Sequence, residues 1–339
     1  PAHRGLTGRA MRGSAAPQRA RRRGLLALIA SFAAARPAQA RSASPYRVGI
    51  LNEALAANHP TVEGLKAGLR ELGFTEGRDI AFENRYTQGD RDAARDGAVA
   101  FAKADVDLIF TSNEEPTRQA MAASTSIPIV FTLVGDPVAA GIVGRLAAPA
   151  GNATGVSSLT PELAPKRLEL LKTLAPRVRR VWAFHEADVR VSTAAAASAT
   201  AAAAQLNLQL VARPVATRDE LARAVKDVRR GDALLVPDRG RLDVSGALLD
   251  LSLASRIPAV FTASFYVGYG GLTSYGADYY AEGFQAARQV ARILRGARPQ
   301  DLPVEGADKL DVAVNLKTAA DLGLTVPRKI LLRADTLRR

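Results

Sequence analysis

The segments IPIVFT (residues 127–132) and IPAVFT (residues 257–262) are nearly identical and lie about 130 positions apart. Each is a short run of β-branched and aromatic residues introduced by a proline, which is typical of a buried strand. Each copy also closes the same kind of interval, because an acidic residue, an apolar strand, a polar turn and a helix precede it. The repeated unit is strand, turn, helix and strand, and each half of the chain contains it once.

Strands and helices alternate on both sides of each copy. YRVGIL (46–51) is a strand in the first half, and RRVWAFHE (179–186) opens the second half in a similar way. The alanine-rich segment 191–207 is low in complexity, but alanine is the best helix former, so a helix is predicted there. Strands that alternate with helices pair in parallel through right-handed crossovers. The sequence therefore predicts an α/β fold with two Rossmann-like, doubly wound parallel-sheet lobes.

Two further strand-helix segments, 270–299 and 308–326, follow the second copy. Neither is long enough for a third domain, so both are expected to return and complete the lobes already formed. The predicted division assigns residues 45–156 plus 274–306 to lobe 1 and residues 157–273 plus 307–330 to lobe 2. A chain that crosses several times makes a multi-strand hinge, and two hinged lobes enclose a cleft.

The first 40 residues contain much of the positive charge. They hold eight arginines and no acid, so the net charge of +13 falls to +5 when they are left out. Residues 19–42 present an arginine cluster, an apolar stretch (25–35) and an Ala38-Gln39-Ala40 ending, which are the three regions of a secretory signal peptide. The apolar stretch is shorter than the roughly 20 residues that span a bilayer. Residues 1–40 are therefore predicted to be a leader that is cleaved after Ala40.

Composition also limits the classes of function. The chain has no cysteine, which excludes disulfides, thiolate metal sites, cysteine nucleophiles and a lipidated cysteine. The arginines beyond the leader are scattered and form no basic stripe with interleaved aromatics, which argues against nucleic-acid binding. An exported chain without a lipid anchor fits the bacterial periplasm best.

Polar and aromatic residues cluster where the predicted strands end. In open α/β sheets ligands bind beyond the carboxyl ends of the strands, where helix N-termini and loop side chains converge. Ser and Thr hydroxyls suit a carboxylate, Asp and Glu suit an ammonium group, and Tyr or Phe suits an apolar side chain. The candidate ligand-binding residues are Asn52, Glu53, Asn113, Glu114, Thr132, Asp136, Ser157, Ser158, His185, Asp238, Ser264, Tyr266, Tyr275 and Asp278.

Several of these residues also have a structural interpretation. Asp136 and Asp278 fit helix N-caps, and Glu114 fits a first-turn acid stabilised by the helix dipole. Tyr266 and Tyr275 fit a hydrophobic core. These alternatives stay open from sequence.

Catalytic interpretations have less support. Beyond the leader the histidines are His59 and His185, which lack the spacing of a metal site. The chain contains no nucleophile elbow, P-loop or dinucleotide fingerprint. We therefore expect no metal, no cofactor and no enzymatic activity.

Three long segments carry a family resemblance: IPIVFTLVGDPVAAGIVGRLAAPAGNATGVSSLTPELAPKRLELLKTLAP (127–176), GGLTSYGADYYAEGFQAARQVARILRGARPQDLPVE (270–305) and LDVAVNLKTAADLGLTVP (310–327). They closely resemble the TrpX-like family of ABC-transporter substrate-binding proteins, and the likeness extends over residues 46–337. The resemblance implies a type I periplasmic binding protein fold with a ligand between two lobes. Some members of that family bind aromatic amino acids.

The positions that match the family's cleft pattern lie in one turn and two crossovers. They are Asp136 and Pro137 in the turn, Thr154, Gly155, Val156 and Ser157 in the first crossover, and Gly276 and Asp278 in the second. Three loops depart from that pattern: SNEEPT (112–117) is more acidic, HEADVR (185–190) replaces an Asn-Pro turn, and PDRGRLD (237–243) adds two arginines. Their extra charges favour a polar or charged solute over an aromatic amino acid.

These observations support a periplasmic solute-binding protein, expected to be a monomer, that binds a small polar or amino-acid-like ligand between its two lobes and presents it to an inner-membrane ABC permease. Two alternatives remain at this point. The same cleft would serve an exported sensor that signals to a receptor. An α/β hydrolase would use His59 or His185 as its base.

Overall fold

The computed structural model describes residues 44–53, 58–237 and 242–339. The predicted leader (1–40) lies outside these residues. Among the helices of the described residues, none combines the length and the apolar character needed to cross a membrane.

The first sheet contains the strands β1 (Tyr46–Asn52), β2 (Ile80–Tyr86), β3 (Leu108–Ser112), β4 (Ile129–Val134), β5 (Ala153–Ser157) and β11 (Glu305–Gly306). Their order is β11-β5-β4-β3-β1-β2, and every pairing is parallel. The sheet is covered by the helices α1 (Pro60–Glu71), α2 (Arg91–Ala104), α3 (Glu114–Ala123) and α9 (Tyr279–Leu294). Helices α1 and α9 pack on one face and α2 and α3 on the other. We call this unit the first lobe.

The second sheet contains the strands β6 (Arg180–Glu186), β7 (Gln209–Val215), β8 (Ala233–Leu235), β9 (Ala259–Phe261), β10 (Thr273–Ala277), β12 (Leu310–Asn315) and β13 (Thr336–Arg338). Their order is β13-β12-β10-β9-β8-β6-β7. The helices of this second lobe are α4 (Thr160–Leu174), α5 (Arg190–Ala203), α6 (Arg218–Ala224), α7 (Val244–Ser255), α8 (Ser264–Gly268), α10 (Leu316–Asp321) and α11 (Arg328–Leu331). Short 3-10 turns lie at Ala204–Leu206, Val225–Asp227 and Pro299–Asp301.

The repeated Ile-Pro phrase forms a buried strand in each sheet. In the first copy, β4 lies between β3 and β5, and in the second copy, β9 lies between β8 and β10. Both strands are interior, so their residues are shielded on two faces, which explains the unbroken apolar run. The predicted α/β fold with two Rossmann-like lobes is confirmed.

The described chain passes between the sheets three times: from β5 to α4, from β10 to α9 and from β11 to β12. Residues 274–277, which the sequence assigned to lobe 1, lie in β10 and pair with β9 and β12 of the second sheet. The expectation was wrong because a single residue, Asp278, separates β10 from α9, so no linker marks the change of lobe. β12 runs antiparallel to β10 because the chain enters the second sheet at its carboxyl edge.

Glycines allow α9 to lie against α1 in the first lobe. A Cβ atom on Gly64 of α1 would lie 2.0 Å from the carbonyl oxygen of Tyr280. A Cβ atom on Gly283 of α9 would lie 1.9 Å from the carbonyl oxygen of Thr61. Backbone atoms occupy both places, so the two helices can approach this closely only where side chains are absent.

The substitution Gly64→Ala should therefore destabilise the protein. We expect a loss of about 1–3 kcal/mol in the free energy of unfolding, because the methyl group forces the helices apart. Urea denaturation of the variant measures this loss. Gly144→Ala is the matched control, since a Cβ atom there meets no atom within 4 Å and the φ angle is ordinary. Equal losses in both variants would contradict the steric argument.

Candidate functional site

Three polar side chains end neighbouring strands at the carboxyl edge of the first sheet. The strand register places Asn52 beside Ser112, and Ser112 beside Thr132. All three are buried. Each lies two residues after a core residue such as Phe110, so all three face the side of the sheet that α1 and α9 cover. The hydroxyl of Thr132 donates to the carbonyl oxygen of Thr111 at 3.2 Å. The edge therefore carries a row of amide and hydroxyl groups on one face.

Helix α1 begins at this same edge because it follows β1. Its N-cap is His59, whose Nδ1 accepts from the amide of Thr61 at 3.4 Å. The imidazole stacks on Tyr279 with ring centroids 5.9 Å apart. Burial lowers the pKa of His59 to about 4, so the ring is neutral at physiological pH. The first turn of α1 thus meets the first turn of α9 through an aromatic contact.

Three buried hydroxyls at this edge make no hydrogen bond within the described part of the chain: Thr61 Oγ1, Thr87 Oγ1 and Ser112 Oγ. Thr87 follows Tyr86, which pairs with Asn52 in the adjacent strand. A buried hydroxyl without a partner costs about 1–3 kcal/mol, so such groups require an explanation. A bound solute that offers acceptor atoms would satisfy them. This edge is the candidate ligand site.

Backbone strain is also concentrated here. Asn113 has φ 75° and ψ 167°, a region that only glycine normally occupies, and Leu133 and Leu159 have φ 56° and 55°. Each such residue costs about 1–3 kcal/mol and persists only where its surroundings hold it. Asn113 and Leu133 directly follow Ser112 and Thr132 of the polar row, and Leu159 lies just beyond the end of the neighbouring strand β5. Strain of this kind is found preferentially at binding sites.

Glu282, in the first turn of α9, is a functional candidate that the sequence interpretation missed. It is 1% exposed and accepts from the amide of Leu133 at 2.6 Å. It also accepts from the hydroxyl of Ser158 at 3.0 and 3.1 Å. From sequence this residue resembles an ordinary first-turn acid, and only the fold brings it to the strand ends.

The carboxyl edge of the second sheet carries acids that are held by local partners. Glu186, also missed from sequence, ends β6 and accepts from the amide of Leu242 at 2.7 Å. Asp278 caps α9 through the amide of Ala281 and accepts from Lys309 at 2.7 Å. Burial opposes ionisation of Asp278, but these donors outweigh it and lower its pKa.

Asp311 behaves in the opposite way to Asp278. Burial raises its pKa, and repulsion from Asp335 and Asp278 adds to the effect, while the Ser264 hydroxyl acts in the opposite direction. The candidate Ser264 thus lies near Asp311 at the expected edge.

Other predicted site residues lie in the expected loops and have partners within the protein. Asn113 donates to Glu53, Glu114 pairs with Arg118, Asp136 accepts from the amides of Val138 and Ala139, and the Ser157 hydroxyl donates to the carbonyl of Gly135. The first-turn interpretation of Glu114 therefore describes its observed contact. The helix N-cap interpretation of Asp136 is wrong, because its carboxylate caps a turn at residues 137–141 and no helix begins between β4 and β5.

Three predicted site residues have side chains that pack among other residues of the second lobe, and a fourth is outside the described residues. His185 faces a small cavity of about 20 Å³ between β6 and the helices α4 and α5, with room for about one water. Tyr275 packs against the core residues that surround this cavity. Alternate residues of a strand face opposite sides of the sheet, and Tyr275 of β10 faces the side that carries this core. Tyr266 stacks on Phe261 with centroids 5.1 Å apart. Asp238 lies outside the described residues.

Within the described residues no group of three or more His, Asp and Glu side chains is arranged to hold a metal ion. The chemistry that the first-lobe edge offers is hydrogen-bond donation from hydroxyls and an amide in a buried setting. These groups recognise oxygen acceptors such as a carboxylate.

Comparison with known proteins gives consistent results. The family model for ABC transporter substrate binding proteins matches residues 54–338. A tyrosine-binding protein of Clostridioides difficile is 28% identical over 272 residues, covering 78% of each chain. An ABC domain from Streptococcus pneumonia in complex with L-Trp is 26% identical with a TM-score of 0.76, covering 87% of this chain and all of the other. A ligand-free, open substrate binding protein from Clostridium difficile is 25% identical with a TM-score of 0.66, covering 86% of this chain and 99% of the other.

The buried His59 should make stability depend on pH. Its pKa lies near 4 in the folded protein and near 6.5 when unfolded, so the unfolded chain binds the proton more tightly between these values. Its contribution to stability is therefore complete above pH 6.5 and is lost as the pH falls toward 4. His59→Asn, which keeps a capping acceptor, should reduce the slope of unfolding free energy against pH in this window. Identical slopes for the variant and the natural protein in urea denaturation would contradict this assignment.

Proposed function

Because the chain belongs to the ABC transporter substrate binding protein family, we propose that it captures an α-amino acid between its lobes and delivers it to an inner-membrane permease. As a member of a family of substrate-binding proteins it is a binding protein and not an enzyme. The observation that carries the proposed ligand class is the set of buried, unsatisfied hydroxyls at Thr61 and Ser112. Their donors suit the carboxylate that every α-amino acid presents.

The side chain of the proposed solute is aromatic. Two relatives support this: the C. difficile protein is named for tyrosine binding, and the S. pneumonia structure contains L-Trp. The sequence had favoured a charged solute because of the acidic loop, but Glu114 pairs with Arg118 at 2.7 Å and Glu115 with Arg91 at 2.8 Å. These carboxylates are neutralised by their neighbours, which removes that part of the argument. The stacked rings of His59 and Tyr279 supply an aromatic surface beside the hydroxyls.

The proposed location is the periplasm. The leader pattern in residues 1–40 supports export, and the absence of cysteine leaves no residue for a lipid anchor on a thiol. We further propose that the exported chain acts as a monomer, with one solute for each chain.

A thermal-shift screen of residues 41–339 against the twenty amino acids, small carboxylates, purines and sugars tests the proposed function. The protein is unfolded and refolded first, to remove solute carried through purification. A ligand at a hundred times its Kd adds about 2.7 kcal/mol of stability, which raises the Tm by several degrees. Stabilisation by L-tyrosine or L-tryptophan supports the proposal. Stabilisation by sugars or purines alone would exclude an amino-acid binder.

Substitution of Ser112 separates ligand recognition from folding. Ser112→Ala removes a hydroxyl that has no partner within the described residues, so stability should stay the same or rise by up to about 1 kcal/mol. Affinity for the aromatic amino acid should fall about 10- to 150-fold, because a hydrogen bond to a charged group is worth about 1.5–3 kcal/mol. Isothermal titration calorimetry measures the change in Kd.

Thr111→Val is the control for this substitution. Thr111 precedes Ser112 on the same strand but faces the other side, where its hydroxyl bonds that of Thr117 at 2.7 Å. This variant should lose stability and keep its affinity. The reverse pattern, with Ser112→Ala unstable and still fully able to bind, would place the site elsewhere.

A further inference from the structure

Glu282 links two segments that are far apart in sequence. Its carboxylate accepts from the amide of Leu133, just before the end of β4, and from the hydroxyl of Ser158, which begins the crossing from β5 to α4. The two segments also bond each other, because the amide of Ser158 donates to the carbonyl of Val134 at 3.0 Å. One buried carboxylate therefore holds the end of β4 against the first crossing between the lobes. We call residues 133–135 the β4 turn.

The turn that Glu282 holds is strained. Leu133 has a φ angle of 56°, in the left-handed region that a leucine adopts only at an energetic cost, and the register of β4 against β5 shifts between Phe131 and Val134. In this conformation the Leu133 amide points to a carboxylate, the strongest kind of acceptor in proteins. The bond to Glu282 thus compensates for a backbone conformation that the sequence would not adopt unaided.

The same turn carries a contact between the two lobes. Gly135 accepts from the amide of Thr160, the first residue of α4, at 3.1 Å. A Cβ atom on Gly135 would lie 2.8 Å from Cγ2 of Val191, in the first turn of α5. Because only glycine fits between these residues, a small change in the turn would open or block this contact.

We infer that Glu282 is a positioning residue for lobe closure, which fixes the β4 turn in the conformation that receives helix α5 of the second lobe. A solute shifts the equilibrium only by its differential affinity for the open and closed states. The conformation of the turn sets where that equilibrium lies before any solute binds. The effect on solute affinity rests on the proposed function, whereas the effect on lobe separation does not.

Glu282 also has a simpler interpretation. An acid in the first turn of a helix is stabilised by the helix dipole, which is positive at the N-terminus. That role predicts a change in stability and no change in the separation of the lobes. The two interpretations therefore differ in a distance that can be measured.

Spin labels on the outer strands of the sheets report this distance. The chain has no cysteine, so Arg85→Cys on β2 and Arg213→Cys on β7 give unique labelling sites, and both arginines are exposed. In the first sheet the crossings leave from β5 and β11, and β2 is the edge strand at the opposite end. In the second sheet the crossings involve β10 and β12, and β7 is the edge strand at the opposite end. Their separation is expected to change most on closure. Pulsed electron paramagnetic resonance gives the distribution without solute and with L-tyrosine or L-tryptophan.

Glu282→Gln should shift the solute-free distribution toward longer distances and weaken the Kd for the aromatic amino acid about tenfold. Ser158→Ala, which removes one donor and keeps the carboxylate, should give a smaller shift in the same direction. Adding Leu133→Gly to Glu282→Gln should recover part of the shift, because glycine adopts a positive φ without strain. Glu63→Gln, at the corresponding first-turn position of α1, is the matched control and should leave the distances unchanged.

Unchanged distances in a folded Glu282→Gln protein would overturn the inference, whether or not affinity falls. A fall in affinity with unchanged distances would instead mean that Glu282 contacts the solute. If no amino acid binds the natural protein, the proposed function fails, and the solute-free distances still decide the role of Glu282. If Glu282→Gln does not fold, Ser158→Ala supplies the same comparison.

Discussion

Every passage of the described chain between the two sheets starts or ends at a carboxyl edge of the strands. β5 leaves the first sheet there, β10 leaves the second sheet there, and the chain returns from β11 to the start of β12 at the same edge. In parallel sheets this is also the edge where helices begin and where buried polar side chains can meet a solute. The hinge and the candidate site are therefore one region, which is why a single side chain such as Glu282 contacts both.

Helix α9 depends most on this arrangement. Its strand, β10, belongs to the second sheet, but its glycine contact with α1 fixes it in the first lobe. One face of α9 carries buried polar groups that bond the crossing strands. Gln285 donates to the carbonyl of Gly306 at 3.0 Å, and Gln289 donates to the carbonyl of Gly155 at 3.2 Å. Helix α9 thus supplies hydrogen-bond donors to backbone carbonyl groups of β11 and β5, the two strands from which the chain leaves the first sheet. Buried backbone groups there are paired even where a neighbouring strand has ended.

The sequence predicts the regular part of this structure well and the irregular part poorly. The repeated Ile-Pro strands and the two lobes follow from periodicity, which local sequence encodes. The placement of residues 274–277 does not, because lobe membership is decided by strand pairing over long distances. For the site, the rule that ligands bind beyond strand ends selected Asn52 and Thr132, which lie in register with Ser112 at the candidate edge. It also selected Tyr275, whose side chain faces a core.

No local signal distinguishes Glu282 from the other first-turn acids of this chain, such as Glu63. The difference lies in the contacts that the fold creates with Leu133 and Ser158, residues more than a hundred positions earlier. The same is true of the unsatisfied hydroxyls, since a buried Ser112 becomes exceptional only when its surroundings are known. A site made of neutral hydroxyls and one remote carboxylate leaves no compact motif in the sequence.

The candidate site combines two kinds of unfavourable energy with different functional consequences. The unsatisfied hydroxyls of Thr61 and Ser112 both belong to the first lobe, so the proposed solute would recover that energy whether the lobes are open or closed. Such binding raises affinity without favouring closure, because a solute with equal affinity for the open and closed states does not shift the equilibrium between them. The strain at Leu133 differs, since it lies in the turn that touches Val191 of the second lobe. In the proposed function the hydroxyls would therefore set how tightly a solute is held, and in the proposed role of Glu282 the strained turn would set how readily the lobes close around it.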